Sequence, residues 1–401
     1  MVTAGTGDTY TANTFVNVAS QEANRNVAFV GYPVGDGTDH GAFFGGGKGY
    51  LDLSGIVDVD KTYVLLHAAT TRTNDEFLTP DVYGGGYYSL VKNTMVDAYT
   101  GNYNIIYGGT FGATADQKAD THLTKANYQN ETTTINTYPS FTTNPNITIY
   151  GSGGYVGTKT TNVNLFGGML GNVYGGSFNE GVCNVTNVNV MNATEGASGW
   201  QYAGTFAGST VNVKALFGGS QGSADALPCD VLQSNVKFHS DQAYVRGEDS
   251  DEHSYIYGGN HNFRATEHTL VEITVPVRMA SGGNLANVCG AGYGAHTIAG
   301  FTHVDLKDGA LVNNVYGGGR DGKVLNQYDI LTTSDPDDNA SGYVPYDALE
   351  GGDKKTSDNI QTYAYWTTPT NTPNTLIDLA ATSTVRGSMF GAGFGKDATV
   401  A

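Results

Sequence analysis

The chain repeats one pattern of apolar and polar positions. Apolar residues first alternate with polar ones, a turn follows, and a short apolar stretch then ends in an aromatic residue and glycines. THVDLKDGALVNNVYGGG at 302–319 shows the whole pattern, with Val304 and Leu306 as alternating apolar positions. This alternation predicts a β-strand with one buried face, and the stretch after the turn predicts a second, shorter strand. One copy of the pattern therefore predicts one winding of the chain.

The glycine phrase returns at irregular intervals: 84 to 108 is 24 residues, for example, whereas 317 to 391 is 74 residues. A fixed unit with insertions explains this spacing, and such a unit buries its apolar side only by stacking on its neighbours. The sequence predicts an all-β fold, a single-stranded parallel β-helix (β-solenoid) with about a dozen irregular windings and an axial length of about 55–60 Å. The first glycines of the copies are Gly45, Gly84, Gly108, Gly151, Gly167, Gly175, Gly218, Gly258, Gly290, Gly317 and Gly391, with TFAGS at 205–209 as a decayed copy.

Each position of the phrase has a predicted role. The aliphatic residue, such as Val315 or Ile256, should point inward in a stacked ladder, and the aromatic residue should form a half-covered stack on the outside. Glycines are expected where the winding turns and neighbouring backbones crowd. Cys289 stands at an aromatic position and should act as a small packed side chain. A propeller is the alternative architecture, although its period would be more regular.

Composition narrows the class of partner. The chain has 38 Asp plus Glu against 20 Lys plus Arg, for a formal net charge of −18. This balance argues against nucleic acid as a partner and fits a solvated exterior that attracts cations. No apolar run is long enough to span a membrane. The start, MVTAGTGDTYTAN, lacks the regions of a signal peptide, and the chain stops just after a repeat copy. We therefore expect residues 1–401 to be one continuous solenoid from a longer exported protein.

Three segments depart from the repeat: 111–145, 221–254 and 320–374. Long loops in a β-rich body carry function more often than short ones, and these should project from the corners of windings. The third segment is rich in aromatic residues, which can stack on sugar rings or instead anchor the loop. These candidate ligand-binding residues are Tyr343, Tyr346, Tyr363, Tyr365 and Trp366.

The same segment offers oxygen ligands close together, which suggests a weak Ca²⁺ site. An EF-hand is excluded because Ala340 and Tyr346 stand where that loop needs a glycine and an acid. A solvated acidic loop is the alternative, and no other cofactor is expected. The candidate metal ligands are Asp335, Asp337, Asp338 and Asn339.

The combination of an alternating strand, a turn and a ΦYGGG ending is clearest at 302–319 and 161–177. It resembles the Gly-rich repeats of bacterial surface proteins and autotransporter-like adhesins that fold as parallel β-helices. The resemblance spans about residues 40–395, interrupted by the insertions. It implies a right-handed β-helix displayed outside a bacterial cell.

Three functions are compatible with these observations. The favoured one is a non-enzymatic cell-surface adhesin or display stalk that contacts a glycan or host protein through its loops, with 320–374 as the best contact. One alternative is a filament whose open ends stack. The other is a polysaccharide-cleaving enzyme, which needs carboxylates on adjacent windings, whereas the acidic clusters noted here lie in the insertions. The histidines are expected to be ordinary surface groups: His40, His253, His261, His268, His296 and His303.

Overall fold

A computed structural model describes the strands and corners of the protein. Within the residues it describes, the chain forms strands and turns and no helix. No helix there could cross a membrane. The described residues are 2–3, 9–10, 14–18, 42–48, 59–67, 80–89, 91–112, 129–139, 141, 146–196, 199–202, 211–222, 229–247, 255–279, 283–324, 374–395 and 399–400.

The fold is a parallel β-helix, as the sequence predicts. Successive long and short strands alternate between two 12-stranded sheets, and each strand pairs in parallel with its counterpart one winding away. We call these the long-strand sheet and the corner sheet. The handedness that the resemblance implies remains a prediction.

The long-strand sheet consists of Thr14–Val18, Val59–Leu66, Val91–Ala98, Gln129–Thr137, Gly157–Leu165, Cys183–Val190, Val231–Phe238, His261–Ile273, Tyr293–Leu306, Thr375–Leu379, Lys323–Val324 and Thr399–Val400. The corner sheet consists of Ala42–Phe44, Asp81–Tyr83, Ile105–Tyr107, Thr148–Tyr150, Gly168–Tyr174, Val211–Phe217, Tyr255–Tyr257, Asn287–Cys289, Val315–Tyr316, Met389–Phe390, Tyr244–Val245 and Arg278–Met279. Leu311–Val312 pairs with Thr384–Val385 in parallel. Two antiparallel hairpins pair Val2–Thr3 with Thr9–Tyr10 and Ala193–Gly196 with Gly199–Tyr202.

The described chain completes ten windings, because ten strands in the corner sheet follow one another from Ala42–Phe44 to Met389–Phe390. Nine spacings of about 4.8 Å give an axial length of about 43 Å, shorter than predicted. Two of the twelve expected corners account for the difference. TFAGS at 205–209 lies outside the described residues, and Gly167 is not a corner of this kind.

Gly167 follows a long strand instead of a short one. Leu165 ends the long strand Gly157–Leu165, and Phe166 packs beside Tyr138 with ring centroids 5.7 Å apart. A Cβ on Gly167 would lie 2.3 Å from the Cα of Pro139, so this glycine accommodates a neighbouring backbone. The glycine of LFGG is therefore needed here for a different contact from the one at the corners.

The interior is an aliphatic ladder contributed by both sheets, which confirms the predicted inward positions. In the long-strand sheet, one row of fully buried residues runs Val64, Val96, Ile135, Val163, Val188, Val236, Val271 and Val304. In the corner sheet, the matching row runs Val82, Ile106, Ile149, Val173, Leu216, Ile256, Val288 and Val315. Burial of this continuous apolar stripe is the main favourable contribution to the stability of the fold.

One hydrogen bond closes every winding. A hydroxyl on the long strand donates to the carbonyl oxygen of the first glycine of the corner, at 2.5–2.7 Å in all ten windings. We call this bond the latch. The pairs are Thr14–Gly45, Thr62–Gly84, Thr94–Gly108, Thr133–Gly151, Thr161–Gly175, Thr186–Gly218, Ser234–Gly258, Thr269–Gly290, Thr302–Gly317 and Thr375–Gly391.

The same carbonyl explains why the corner residue is glycine. In windings one to nine, a Cβ on the first glycine would lie 2.1–2.5 Å from the carbonyl oxygen of the next corner glycine. Gly108, for example, would place its Cβ 2.2 Å from the oxygen of Gly151. No side chain fits at that distance, so close approach of the backbones dictates glycine at these positions.

Two of the predicted insertions contain a complete strand of the long-strand sheet. Gln129–Thr137 lies within 111–145, and Val231–Phe238 lies within 221–254, yet both are full members of the long-strand sheet. The sequence does not reveal these strands because many of their residues are polar. Thr133 and Ser234 supply latches, and Asn136 and Asn235 lie on the outer face of the sheet.

Thr161→Val should destabilise the fold by about 1–3 kcal/mol, because the change leaves the buried carbonyl of Gly175 without its hydroxyl donor. Urea unfolding followed by circular dichroism measures the effect. Thr161→Ser is the matched control and should be close to wild type, since Ser234 forms the same latch. Equal stability of the valine variant and wild type would show that the latch contributes nothing.

Candidate functional surfaces

The residues predicted from the third insertion cannot be placed. Tyr343, Tyr346, Tyr363, Tyr365 and Trp366 lie outside the described residues, and so do the candidate Ca²⁺ ligands Asp335, Asp337, Asp338 and Asn339. Where the structure does describe the chain, no group of three or more His, Cys, Asp or Glu side chains is arranged to hold a metal ion.

The point where this insertion leaves the solenoid is well defined. Val324 pairs with Ala299, and Thr375 pairs with Thr302 on the same strand. The backbone N–H of Thr302 also donates to the carbonyl of Asn374 at 2.9 Å. The two ends of segment 325–373 therefore meet within one strand of the tenth winding, and the segment is an insertion into the middle of that strand.

A polar row runs along the outer face of the long-strand sheet. It occupies the position between the last two inward residues of each long strand, such as Asp305 between Val304 and Leu306. All members except Leu65 are polar; the row consists of Asn17, Leu65, Asp97, Asn136, Asn164, Asn189, Lys237, Glu272, Asp305 and Asp378.

Amide side chains in this row form a directed hydrogen-bond chain. Asn189 donates to Asn164, Asn164 donates to Asn136, and Asn136 donates to Asp97, at 2.9, 2.9 and 2.7 Å. Asp97 is fully buried and also accepts from the hydroxyls of Tyr63 at 2.7 Å and Tyr138 at 3.2 Å. A carboxylate can terminate the chain because it only accepts hydrogen bonds.

The two tyrosines at Asp97 remain protonated donors. Burial, together with the nearby carboxylate of Asp97, raises the pKa of Tyr63 and of Tyr138 far above the ordinary value. A tyrosinate there would face a like charge in a dry environment. The Asp97 cluster therefore acts as a structural anchor for the amide chain.

The far end of the polar row is acidic. Glu272, Asp305 and Asp378 occupy the same position on three successive windings. Each is paired with a basic group: Glu272 with Nε2 of His239 at 2.7 Å, Asp305 with Nζ of Lys307 at 2.5 Å, and Asp378 with Nε2 of His303 at 3.0 Å. The structure thus corrects the expectation that acids are confined to the insertions.

Two groups in these pairs, Glu272 and Lys307, have a pKa shifted toward the charged form. The hydrogen bond from His239 lowers the pKa of Glu272, and the hydrogen bond to Asp305 raises the pKa of Lys307. A general acid needs the opposite, a carboxyl with a raised pKa. Glu272 is therefore suited to be a charge partner and not a proton donor. The sequence does contain a signal for this row, because VEI, VDL and IDL place an acid at the same point of three copies.

The aromatic residues of the repeat stack face to face along the corner sheet. Neighbouring ring centroids lie 4.6–5.2 Å apart, with interplanar angles of 5–13°. Cys289 interrupts the stack between Tyr257 and Tyr316 and is fully buried, as predicted. The expectation of a half-covered stack is wrong, however, because Tyr107, Tyr150 and Tyr174 are 1–4% exposed.

A second row of side chains covers the aromatic stack. After each corner the chain folds back, and the third residue after the first glycine lies over the stack: Phe111 packs edge-on against Tyr83, with ring centroids 5.6 Å apart. Arg320 lies over the rings of Tyr293 and Tyr255, 4.7 and 5.3 Å from their centroids. We call this the cover row; it consists of Lys48, Tyr87, Phe111, Gly154, Phe178, Gln221, His261, Tyr293, Arg320 and Phe394.

His261 belongs to the cover row and is not an ordinary surface group. Its ring stacks on Phe217 with centroids 4.6 Å apart, and its Nδ1 lies 2.9 Å from the hydroxyl of Tyr174. Burial lowers the pKa of His261 to about 4, and burial lowers the pKa of His268 to about 4 as well. His303 is 2% exposed. The surface prediction is therefore wrong for these three histidines.

No protein-family model, curated protein or solved structure matches the chain.

Replacing Asp97 by leucine should destabilise the protein by about 2–5 kcal/mol, because three buried donors from Tyr63, Tyr138 and Asn136 would lose their acceptor. Chemical unfolding measures the loss. Asp97→Asn keeps one acceptor oxygen and should cost less. If the leucine variant unfolds at the same urea concentration as wild type, the carboxylate does not anchor the amide chain.

Acid should weaken the fold through His261. Its pKa is about 6.5 when unfolded and about 4 when folded, so the unfolded chain binds the proton first. The stabilisation is complete above about pH 6.5 and declines as the pH falls toward 4. His261→Phe, which places at this position the residue found at 111 and 178, should reduce the fall in stability between these pH values. Identical acid profiles for both proteins would contradict this assignment.

Proposed function

We propose that the chain is a non-enzymatic scaffold of an extracellular bacterial surface protein, a display stalk or adhesin that contacts a glycan or a host protein through inserted loops. The location outside a bacterial cell rests on the resemblance of the Gly-rich repeat to surface proteins. The low charge content of 14% and the net charge of −18 are compatible with that location.

One observation carries the proposal: the side chains that recur in every winding are used to hold windings together. The latch recurs ten times, and the aromatic stack and its cover row extend from the first to the tenth winding, with Cys289 as the one break in the stack among the described residues. A feature repeated in this way provides stiffness and reach. Segment 325–373, in contrast, occurs once and is inserted within a strand, so it changes the surface without interrupting the stack.

The enzyme alternative has one observation in its favour, the acidic row on three successive windings. Its carboxylates, however, are engaged with His239, Lys307 and His303. Such pairing supports a structural role for these side chains on the face of the stalk. Release of reducing sugar from a glycan that the protein binds, lost in Asp305→Asn, would favour the enzyme instead.

The strand pairing defines a deletion of segment 325–373 that keeps the register of the strand. Because Val324 opposes Ala299 and Thr375 opposes Thr302, a single glycine can replace residues 325–373 between Val324 and Asn374. We expect this variant to keep the stability of the solenoid and to lose binding on a glycan array and to host cells. Retained binding would remove segment 325–373 as the contact.

Two further variants separate loop chemistry from loop length. A Gly/Ser linker of equal length in place of 325–373 should also lose binding. A full-length variant with Tyr363, Tyr365 and Trp366 changed to serine should lose glycan binding if these aromatic residues stack on sugar. If none of these proteins, including wild type, binds glycan or cells, the adhesin proposal is wrong.

A further inference from the structure

The hydroxyls of the stacked tyrosines face different partners. Two of these contacts share one geometry, in which the hydroxyl of one winding meets a cover-row side chain two windings further on. Tyr150, in the fourth winding, donates to Oε1 of Gln221 in the sixth. Tyr174, in the fifth winding, has its hydroxyl 2.9 Å from Nδ1 of His261 in the seventh. The chain therefore places two chemically different acceptors in equivalent positions.

A base stands at this offset only once among the described tyrosines of the stack. The imidazole of His261 can take up a proton. An amide such as that of Gln221 accepts a hydrogen bond but is too weak a base to keep the proton, and a guanidinium is already protonated. The other pairs at the same offset lack a base: Tyr83 with Gly154, Tyr107 with Phe178 and Tyr257 with Arg320.

The phenol hydrogen of Tyr174 is directed at this base. Nδ2 of Asn172 donates to the phenol oxygen at 3.5 Å, which leaves the hydrogen of Tyr174 for Nδ1 of His261. The ring hydrogen of His261 is accordingly assigned to Nε2. Burial lowers the pKa of His261 to about 4, so the imidazole is neutral at pH 7 and can accept. Tyr174 is 1% exposed, so bulk water does not compete for its proton.

Tyr174 is also in ring contact with three other tyrosines. Its centroid lies 5.0 Å from that of Tyr150, with Tyr107 a further 5.1 Å and Tyr83 a further 4.6 Å along the stack. The planes of neighbouring rings agree within 13°. Electrons move readily between aromatic rings in such contact. An electron withdrawn from any of these tyrosines can therefore be replaced from Tyr174.

The stack connects with rings that are partly exposed. Tyr83 packs against Phe111 with ring centroids 5.6 Å apart, and Phe111 packs against Tyr155 at the same distance. Phe111 and Tyr155 are both half-buried. An oxidant at the surface can thus draw an electron through the rings without entering the protein.

We infer that Tyr174 and His261 form a redox site that gives one electron to a one-electron oxidant at the surface of the solenoid. The electron leaves the phenol of Tyr174 through the stack and reduces the oxidant. The O–H bond of Tyr174 breaks as an N–H bond forms at Nδ1 of His261, because an oxidised phenol is a strong acid. The products are a neutral tyrosyl radical and an imidazolium. A one-electron reductant, such as a reduced metal complex, returns the electron, and the proton moves back.

Photochemical oxidation tests the site. Illuminated tris(bipyridine)ruthenium(II) with persulfate produces the ruthenium(III) oxidant, and electron paramagnetic resonance of samples frozen seconds later detects tyrosyl radicals that persist in a buried place. Tyr174→Phe keeps a ring in the stack, as Phe217 does in the next winding, and should lower the yield about tenfold or more. His261→Gln keeps an acceptor without the base and should have the same effect. Tyr257→Phe is the matched control and should match wild type.

Moving the base provides a second test that does not depend on a loss. Gln221→His places an imidazole at the same offset from Tyr150. In the Tyr174→Phe background, this change should restore the persistent radical to about half the wild-type yield or more, because the Tyr150 proton then has an acceptor. Circular dichroism of each variant checks that the fold is retained.

Three results would overturn the inference. Wild type could give no persistent tyrosyl radical. Tyr174→Phe could give as much radical as wild type. The signal could disappear instead in Tyr138→Phe, which would place the radical beside the carboxylate of Asp97. The inference does not rest on the proposed loop function, since none of these measurements involves segment 325–373 or glycan binding, and either can fail without the other.

Discussion

The close approach of glycine corners is the constraint on which the rest of the structure depends. The carbonyl oxygen of each corner glycine points at the Cα of the glycine one winding earlier, within 2.1–2.5 Å of where a Cβ would be. This allows the corners to stack at the same spacing as the strands. It also turns the carbonyl toward a carbon, so the latch hydroxyl supplies a hydrogen-bond donor. Each corner therefore needs both a glycine and a latch hydroxyl, which threonine supplies in nine windings and Ser234 in one.

Once the corners stack in register, the other ladders follow from the two-residue period of strands. The residue before each glycine is forced to the outside at the spacing of the windings, which is close enough for flat rings to stack. The aliphatic residue before it is forced inside. On the long strand the same logic places Asn136, Asn164 and Asn189 in line, where each amide can donate to the next. Their common direction requires an acceptor at the end, and Asp97 provides it.

The repeat phrase was sufficient to predict the parallel β-helix, its inward ladder and the packed Cys289, because those features depend only on which residues recur. The cover row could not be predicted in the same way. Its members are as different as Phe111, His261 and Arg320, and only their offset from the glycines is constant. Missing this row led to the wrong expectation that the tyrosines are half exposed. The wrong prediction of a corner at Gly167 has a related cause. Glycine is needed wherever a neighbouring backbone comes close, and at Gly167 that backbone is Pro139 and not the corner of another winding. The loop residues predicted to bind ligand lie outside the described residues, so their role remains a prediction from the sequence.

In a solenoid of this type, the stiffness of the body and the variation of its loops are independent of each other. Each winding contacts only its neighbours, so stiffness grows by adding copies, and a change in one loop affects few contacts elsewhere. The tenth winding shows this directly: its long strand is divided between Lys323–Val324 and Thr375–Leu379, yet both parts keep their register on Tyr293–Leu306. The corner strand of the same winding is kept as well, because Met389 pairs with Val315 and Phe390 with Tyr316.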